Sequence, residues 1–357
     1  MKSTLSYFRL AFAVTLAGLA GAGALGWFYT GELSGALSFL LIGLVLAVLE
    51  ISLSFDNAIV NAQKLKTMTP KWQHRFLTWG ILIAVFGMRI VFPLLIVAIA
   101  AAIGPLQAII LAATEPAEYA RILTDAHLSI AAFGGTFLMM VGLNYFMDAD
   151  KDIHWAETIE DWMSRHGSVE GVTIALVIAM VLLFSQLLPV AEQATFVFSG
   201  IAGLLTFLLV EIGGSFFDGE DNEESGSTAA AVARGGVGAF LYLEVLDASF
   251  SFDGVIGAFA LTQNLFLIAI GLGIGAMYVR SMTIMLVEKG VLSAYRYLEH
   301  GAFWAILGLA AVMYLQTLMH IPEVVTGLFG AGIIALALWS SVRWTRSSPA
   351  VAETPAE

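Results

Sequence analysis

The sequence predicts an all-α polytopic membrane protein, a helical bundle of about ten spans organised as an inverted repeat. Three observations predict it. Of its 357 residues, 59% are hydrophobic and only 12% are charged, about half the roughly 25% usual in a soluble domain. The apolar residues fall in runs of roughly 20, long enough to cross a bilayer as helix. The third is a pair of similar acidic segments buried in two of those runs. Mean hydropathy is +0.86. The net charge of -12 argues against nucleic acid as a partner. With no cysteine in the chain, disulfides, thiolate metal sites and thiol redox chemistry are excluded.

Taken in order, the first span covers about residues 8–29. Its apolar run exceeds a typical signal core, so a retained helix is expected, with residues 1–30 forming an N-terminal element. Residues 31–344 form the core. The second span, 36–62, carries the first acidic segment and is followed by a basic stretch with Lys64, Lys66, Lys71 and Arg75. The third, 76–102, holds Arg89 and Pro93 in its interior. Residues 103–126 read as an external loop with one short helix. Span four is 127–147, and a charged loop, 148–170, has helical spacing around Trp155 and Trp162. Spans five and six are 171–188 and 194–217. An acidic, solvated stretch at 218–228 precedes span seven, 235–261, which holds the second acidic segment. Spans eight to ten are 265–286, with Arg280 inside, 302–319 and 324–344. The tail, 345–357, is expected to be disordered.

Loop charge sets the orientation. With the amino terminus in the cytoplasm, every Lys and Arg of the loops and ends stays inside except Arg121, while Arg89 and Arg280 lie within spans. Both termini are then cytoplasmic, in the inner membrane of a bacterium. The second span enters from outside and the seventh from inside, so the two acidic segments run in opposite directions. Inverted repeats of this kind belong to secondary transporters, with the site near the midplane between the repeats.

The segments are E-I-S-L-S-F-D-N-A-I, from Glu50, and D-A-S-F-S-F-D-G-V-I, from Asp247. They align Glu50 with Asp247, Ser54 with Ser251 and Asp56 with Asp253, and the second adds Glu244. A charged group at bilayer depth costs on the order of 3 kcal/mol on insertion scales, so each of these acids needs a cavity or a partner. Positions six apart point about 120° away from each other on a helix. Two arrangements are therefore open: the helices break near 52–55 and 249–252, or each acid faces a different partner. Ser54, Ser251 and Gly254 would permit breaks.

The candidate ligands are all oxygen: Glu50, Asp56, Glu244, Asp247 and Asp253, the amide of Asn57, and the hydroxyls of Ser54 and Ser251. Such a set suits Mn²⁺, Ca²⁺ or Mg²⁺ rather than Zn²⁺ or Cu⁺. Facing acids cannot all stay ionised without a cation or shared protons, which suggests exchange of a dication for protons. Arg89 and Arg280 follow the two segments at similar places, either pairing with a buried acid or tuning the charge of the site.

At these residues the chain resembles the TerC family of integral membrane proteins, which carries acid-x-x-L-S-x-D-N in one span and acid-x-x-D-x-x-F-S-x-D in a later one. Here the two stand at 50–57 and 244–253. Gly254 stands where a serine is more usual, marking a divergent branch. The resemblance implies a fold related to the LysE-type exporters and manganese export. The function expected is thus a transporter, not an enzyme, with a metal ion as substrate and the lipid bilayer as surroundings. Two rivals use the same acids. A non-transporting stress or assembly factor would use the cation to hold the two halves together. An intramembrane aspartyl protease would share one proton between two aspartates, but neither aspartate has a G-x-G-D context and five acids exceed a dyad.

Overall fold

The computed structural model describes residues 3–80, 83–149, 151–167, 171–218 and 236–347, apart from the side chains at 53, 84–86, 213–218, 252, 253, 256, 260 and 323. Every regular element among them is helical. Helices α1 (Arg9–Thr30) and α2 (Leu33–Leu53) form a hairpin turned by Gly31, whose φ of 69° is costly for any residue with a Cβ. α2 runs through a break at Ser54 into α3 (Phe55–Thr67). α4 (Pro70–Arg75) leads into π-helical turns at Phe76–Gly80 and Ile83–Val91 and then α5 (Phe92–Ala100). Pro93 explains the change of winding. It has no N–H for the carbonyl of Arg89 four residues back, so the regular ladder cannot run through Arg89.

Residues 103–126 hold two helices, α6 (Pro105–Thr114) and α7 (Pro116–Asp125), where one short helix was expected. Each starts on a proline in its first turn, a position that wastes no hydrogen bond, and Pro116 both stops α6 and starts α7. The chain bends by 102° between the α5 segment and α6. Then come α8 (His127–Phe146), α9 (Glu157–Gly167), α10 (Val172–Ser185) and α11 (Val190–Asp218). The second half has α12 (Val237–Leu261), α13 (Leu265–Glu288), α14 (Val291–Ala294), α15 (Leu298–Gln316) and α16 (Glu323–Ser347). The acidic stretch from residue 219 and the chain beyond Ser347 lie outside the described residues. Residues 345–347, expected in the disordered tail, continue α16.

Among the described residues seven helices are long and apolar enough to cross a membrane, or nine if two bent pairs each count as one span. α12 has the length, 25 residues, and falls outside that set through Glu244, Asp247 and Asp253. α10 is short, 14 residues, or about 21 Å against roughly 30 Å of hydrocarbon. The chain is an integral membrane protein. Its peripheral helices α1, α2, α11 and α16 expose large apolar side chains such as Leu16, Leu41, Leu205 and Leu336, a lipid-facing surface rather than a wet one.

Packing follows the repeat. The first acidic segment, on α2 and α3, packs against α13, and the second, on α12, packs against Ile83–Val91. α15 touches α3, α8 touches α12, and α8 and α15 pack on each other. Exchanging the halves maps this pattern onto itself: each acidic helix lies on the arginine-bearing helix of the other half. Small residues permit the close approach at the centre, as where Gly134 and Gly135 of α8 meet Met313 and Tyr314 of α15.

Candidate cation site

The break at Ser54 builds the first half of the site. Ser54 leaves helical geometry at φ -102°, ψ 21°, so α3 begins anew with N–H groups that have no helical acceptor. Asp56 sits in that first turn, where negative charge is favoured, and its Oδ1 accepts from the backbone N–H of Asn57 at 2.8 Å. Ser54 Oγ donates to Glu50 Oε1 at 3.2 Å. The second segment does not break: α12 is continuous through Ser251, whose buried Oγ has no hydrogen-bond partner among the described residues. Of the two arrangements left open by the sequence, the first segment takes the break and the second does not.

Four side chains meet where the two acidic segments approach each other. Arg89 Nη2 donates to Glu50 Oε1 at 2.5 Å, and Arg89 Nη1 lies 4.0 Å from Asp247 Oδ2. Asn57 Nδ2 donates to Asp247 Oδ1 at 2.7 Å. Glu50, Asp56, Asn57, Arg89, Glu244 and Asp247 are all buried. Their depth follows from packing. Glu50 lies against Gly275, near the middle of α13, Asp247 lies near the middle of α12, and Arg89 lies where the Ile83–Val91 turns pass into α5, near the middle of the combined stretch. These charges are therefore at mid-depth of the bundle.

Two small cavities flank the Glu50–Arg89 pair. One, of about 40 Å³, is lined by Glu50, Ser54, Asp56, Gly254, Thr326 and Gly330. The other, of about 30 Å³, is lined by Asn61, Arg89, Asp247 and Arg280 with Leu77 and Thr283. Each has room for about one water or one bare ion. Glu244 lines neither; it packs against Gly80, which lines the 30 Å³ cavity, with neither carboxyl oxygen hydrogen-bonded among the described residues. Among the described residues no hydrogen bond or ion pair joins Arg280 to a site acid: its Nε and Nη2 donate to the Leu77 carbonyl at 3.1 and 2.9 Å. α12 carries Asp253 about 9 Å beyond Asp247, with its side chain outside the described ones. Among the described residues, no three His, Cys, Asp or Glu side chains gather in a metal-holding group.

The profile of a family described as a protein of unknown function, DUF475, matches residues 55–348. The chain belongs to the DUF475 family. No curated protein and no solved structure matches it. The DUF475 match begins inside the first acidic segment, taking in Asp56 and Asn57, and spans the whole of the second.

Glycines shape the site of this DUF475 protein. A Cβ at Gly254 would lie 2.9 Å from Glu50 Oε2, so the glycine gives the carboxylate its space. A Cβ at Gly275 would run into the Glu50 stem itself. Gly275→Ala is expected to push α13 off α2 and destabilise the protein by about 1–3 kcal/mol. Gly254→Ala meets only the movable end of a side chain and should cost well under half of that. Thermal unfolding of the two variants in detergent checks the order.

A further buried carboxylate lies outside the site, in the segment expected to be a charged loop. Glu160 of α9 is wholly buried. Its oxygens accept from His300 Nδ1 at 2.8 Å and Trp304 Nε1 at 2.8 Å, both on α15, and from the Trp155 N–H at 3.0 Å. His154 Nδ1 is 3.8 Å away and Lys151 Nζ 4.0 Å. Burial pushes the Lys151 ammonium down to about 8, against the opposing pull of Glu160 and Asp148. Its Nζ also lies 3.7 Å from the centre of the Tyr145 ring, a cation–π contact. One sequence signal was present: Glu160, Met163 and Ser164 share a face at helical spacing, and in the structure all three are buried. Through Glu160 the α9 segment is fastened to α15, whose Ala305 and Leu309 line the 40 Å³ cavity.

Proposed function

We propose that this DUF475 protein is a transporter that exports a divalent cation, most simply Mn²⁺, through the mid-depth carboxylates. The observation that carries this is the meeting of two acidic segments, one from each half, between cavities at opposite ends of α12. A cavity of about 270 Å³ is lined at one end by Ala239 and Tyr242 with Gln63 and Lys64. At the other end, one of about 730 Å³ is lined by Gly257 and Leu261 with Leu49 and Gln316. The carboxylates lie between them. Oxygen ligands alone favour a hard dication, and the resemblance to the TerC family favours manganese among these. In this reading the chain sits in a bacterial plasma membrane with both termini in the cytoplasm, and protons return as the metal leaves.

Mn²⁺ uptake into inverted vesicles tests it. Wild-type vesicles should accumulate the ion, and Asp56→Asn or Asp253→Asn should each bring flux to background. Wild-type transport that survives both substitutions would overturn the assignment. Metal-dependent thermal stabilisation without any flux would instead make the ion a clamp between the halves.

A further inference from the structure

The two halves carry equivalent groups in unequal states. In the first, the acidic helix is broken at Ser54, the serine bonds its acid, and Arg89 sits on Glu50. In the second, α12 is unbroken, Ser251 Oγ has no hydrogen-bond partner among the described residues, and Arg280 is held on the Leu77 carbonyl. Arg280 nevertheless lines the same 30 Å³ cavity as Asp247 and Arg89. Two halves of one pseudo-symmetric machine, when unequal, imply a second state in which they exchange conformations, since alternating access moves one repeat against the other.

We propose that Arg89 and Arg280 are exchanging counter-ions of the carboxylate site. In the state described here Arg89 occupies the cation position between Glu50 and Asp247, and Arg280 is parked on Leu77. In the opposite-facing state Arg280 leaves Leu77 and pairs with Asp247, α12 breaks at Ser251, and Arg89 withdraws from Glu50.

The physical reason is charge balance. Glu50 and Asp247 lie in a low-dielectric interior, where an unpaired carboxylate is costly. A guanidinium and a dication repel at such short range, so an arriving ion displaces the arginine. Between ions, a tethered arginine offsets part of the carboxylate charge while the protein turns over. Leu77 lies in the π-helical stretch ahead of Arg89, so Arg280 also holds the backbone that leads to its counterpart. Release of one is thereby linked to movement of the other.

This inference rests on the transport reading, and the experiment separates the two. The chain has no cysteine, so single cysteines report access without background. Gln63→Cys marks the 270 Å³ cavity and Gln316→Cys the 730 Å³ cavity. In the otherwise wild-type protein, Mn²⁺ should raise thiol labelling at one position and lower it at the other. Arg280→Gln should hold both at their metal-free values and cut Mn²⁺ flux at least about tenfold. Arg280→Lys, which keeps the charge and loses the forked bond to Leu77, should retain the Mn²⁺ response. Wild-type protein without flux would overturn the transport reading and this inference with it. Wild-type flux, with Arg280→Gln matching it in flux and labelling, would overturn the exchange alone. Should Arg280→Gln not fold, Arg280→Lys decides: loss of its Mn²⁺ response makes Arg280 a backbone brace and ends the proposal.

Discussion

Glu160→Ala is expected to destabilise the protein by about 3–5 kcal/mol, the cost of removing one member of a buried charged network. The substitution strands the N–H donors of His300 and Trp304, and it takes the anion away from Lys151 and His154. Glu160→Gln keeps an oxygen acceptor and should lose less. pH gives an independent readout. Burial alone would raise the Glu160 carboxyl, but the bonds from His300 and Trp304, the His300 charge and the Trp155 N–H outweigh it, drawing it from 4.5 to about 2. A group depressed in the folded state stabilises above its unfolded value and loses that contribution as pH falls towards the folded one. Wild-type stability should therefore decline between about pH 4.5 and pH 2, and Glu160→Gln should decline less over the same window. Thermal melts in detergent measure both. A Glu160→Ala melt within about 0.5 kcal/mol of wild type, the range of ordinary surface substitutions, would show that the network contributes nothing.

Such a network is hard to read from sequence. Composition places residues 148–170 among solvated segments, and local pattern finds the helix at Trp162 but not what covers it. Glu160 is buried because α15 brings His300 and Trp304 to it from about 140 positions away, and no local rule encodes that. The spans were legible because 20 apolar residues have few alternatives to a membrane helix. The acids were legible because charge in such a run needs a reason. The division between the acidic segments was not. Ser54 and Ser251 stand in nearly the same words, S-F-D-N and S-F-D-G, yet one helix breaks and the other does not. Their surroundings differ instead: Glu50 is held by Arg89, and Asp247 is reached by Asn57. Likewise Arg89 and Arg280 hold corresponding places in the sequence and different partners in space. Local propensity permits both conformations, and tertiary contacts choose between them.

The Glu50–Arg89 pair carries the largest expected effect at the site. Both side chains are almost wholly buried, so removing either leaves the other as an uncompensated charge, at about 3–5 kcal/mol. Arg89→Gln should cost at least as much as Glu50→Gln, because it also removes the cation 4.0 Å from Asp247 and leaves two carboxylates facing the same space. Removing both partners is different. A neutral Gln–Gln pair retains volume and hydrogen-bonding capacity, and a buried ion pair is often replaced at little net cost. The double variant Glu50→Gln/Arg89→Gln should thus recover most of the stability lost by either single one, with a coupling energy of about 2 kcal/mol or more in a double-mutant cycle. Recovery of stability should not bring recovery of transport, since the neutral pair offers a dication neither a carboxylate nor a counter-ion to displace. Unfolding in detergent and Mn²⁺ flux in vesicles, measured on the same four proteins, separate the two effects. Additive losses of stability would mean that Glu50 and Arg89 are not partners, and full flux in the stable double variant would remove Glu50 from the ion's path.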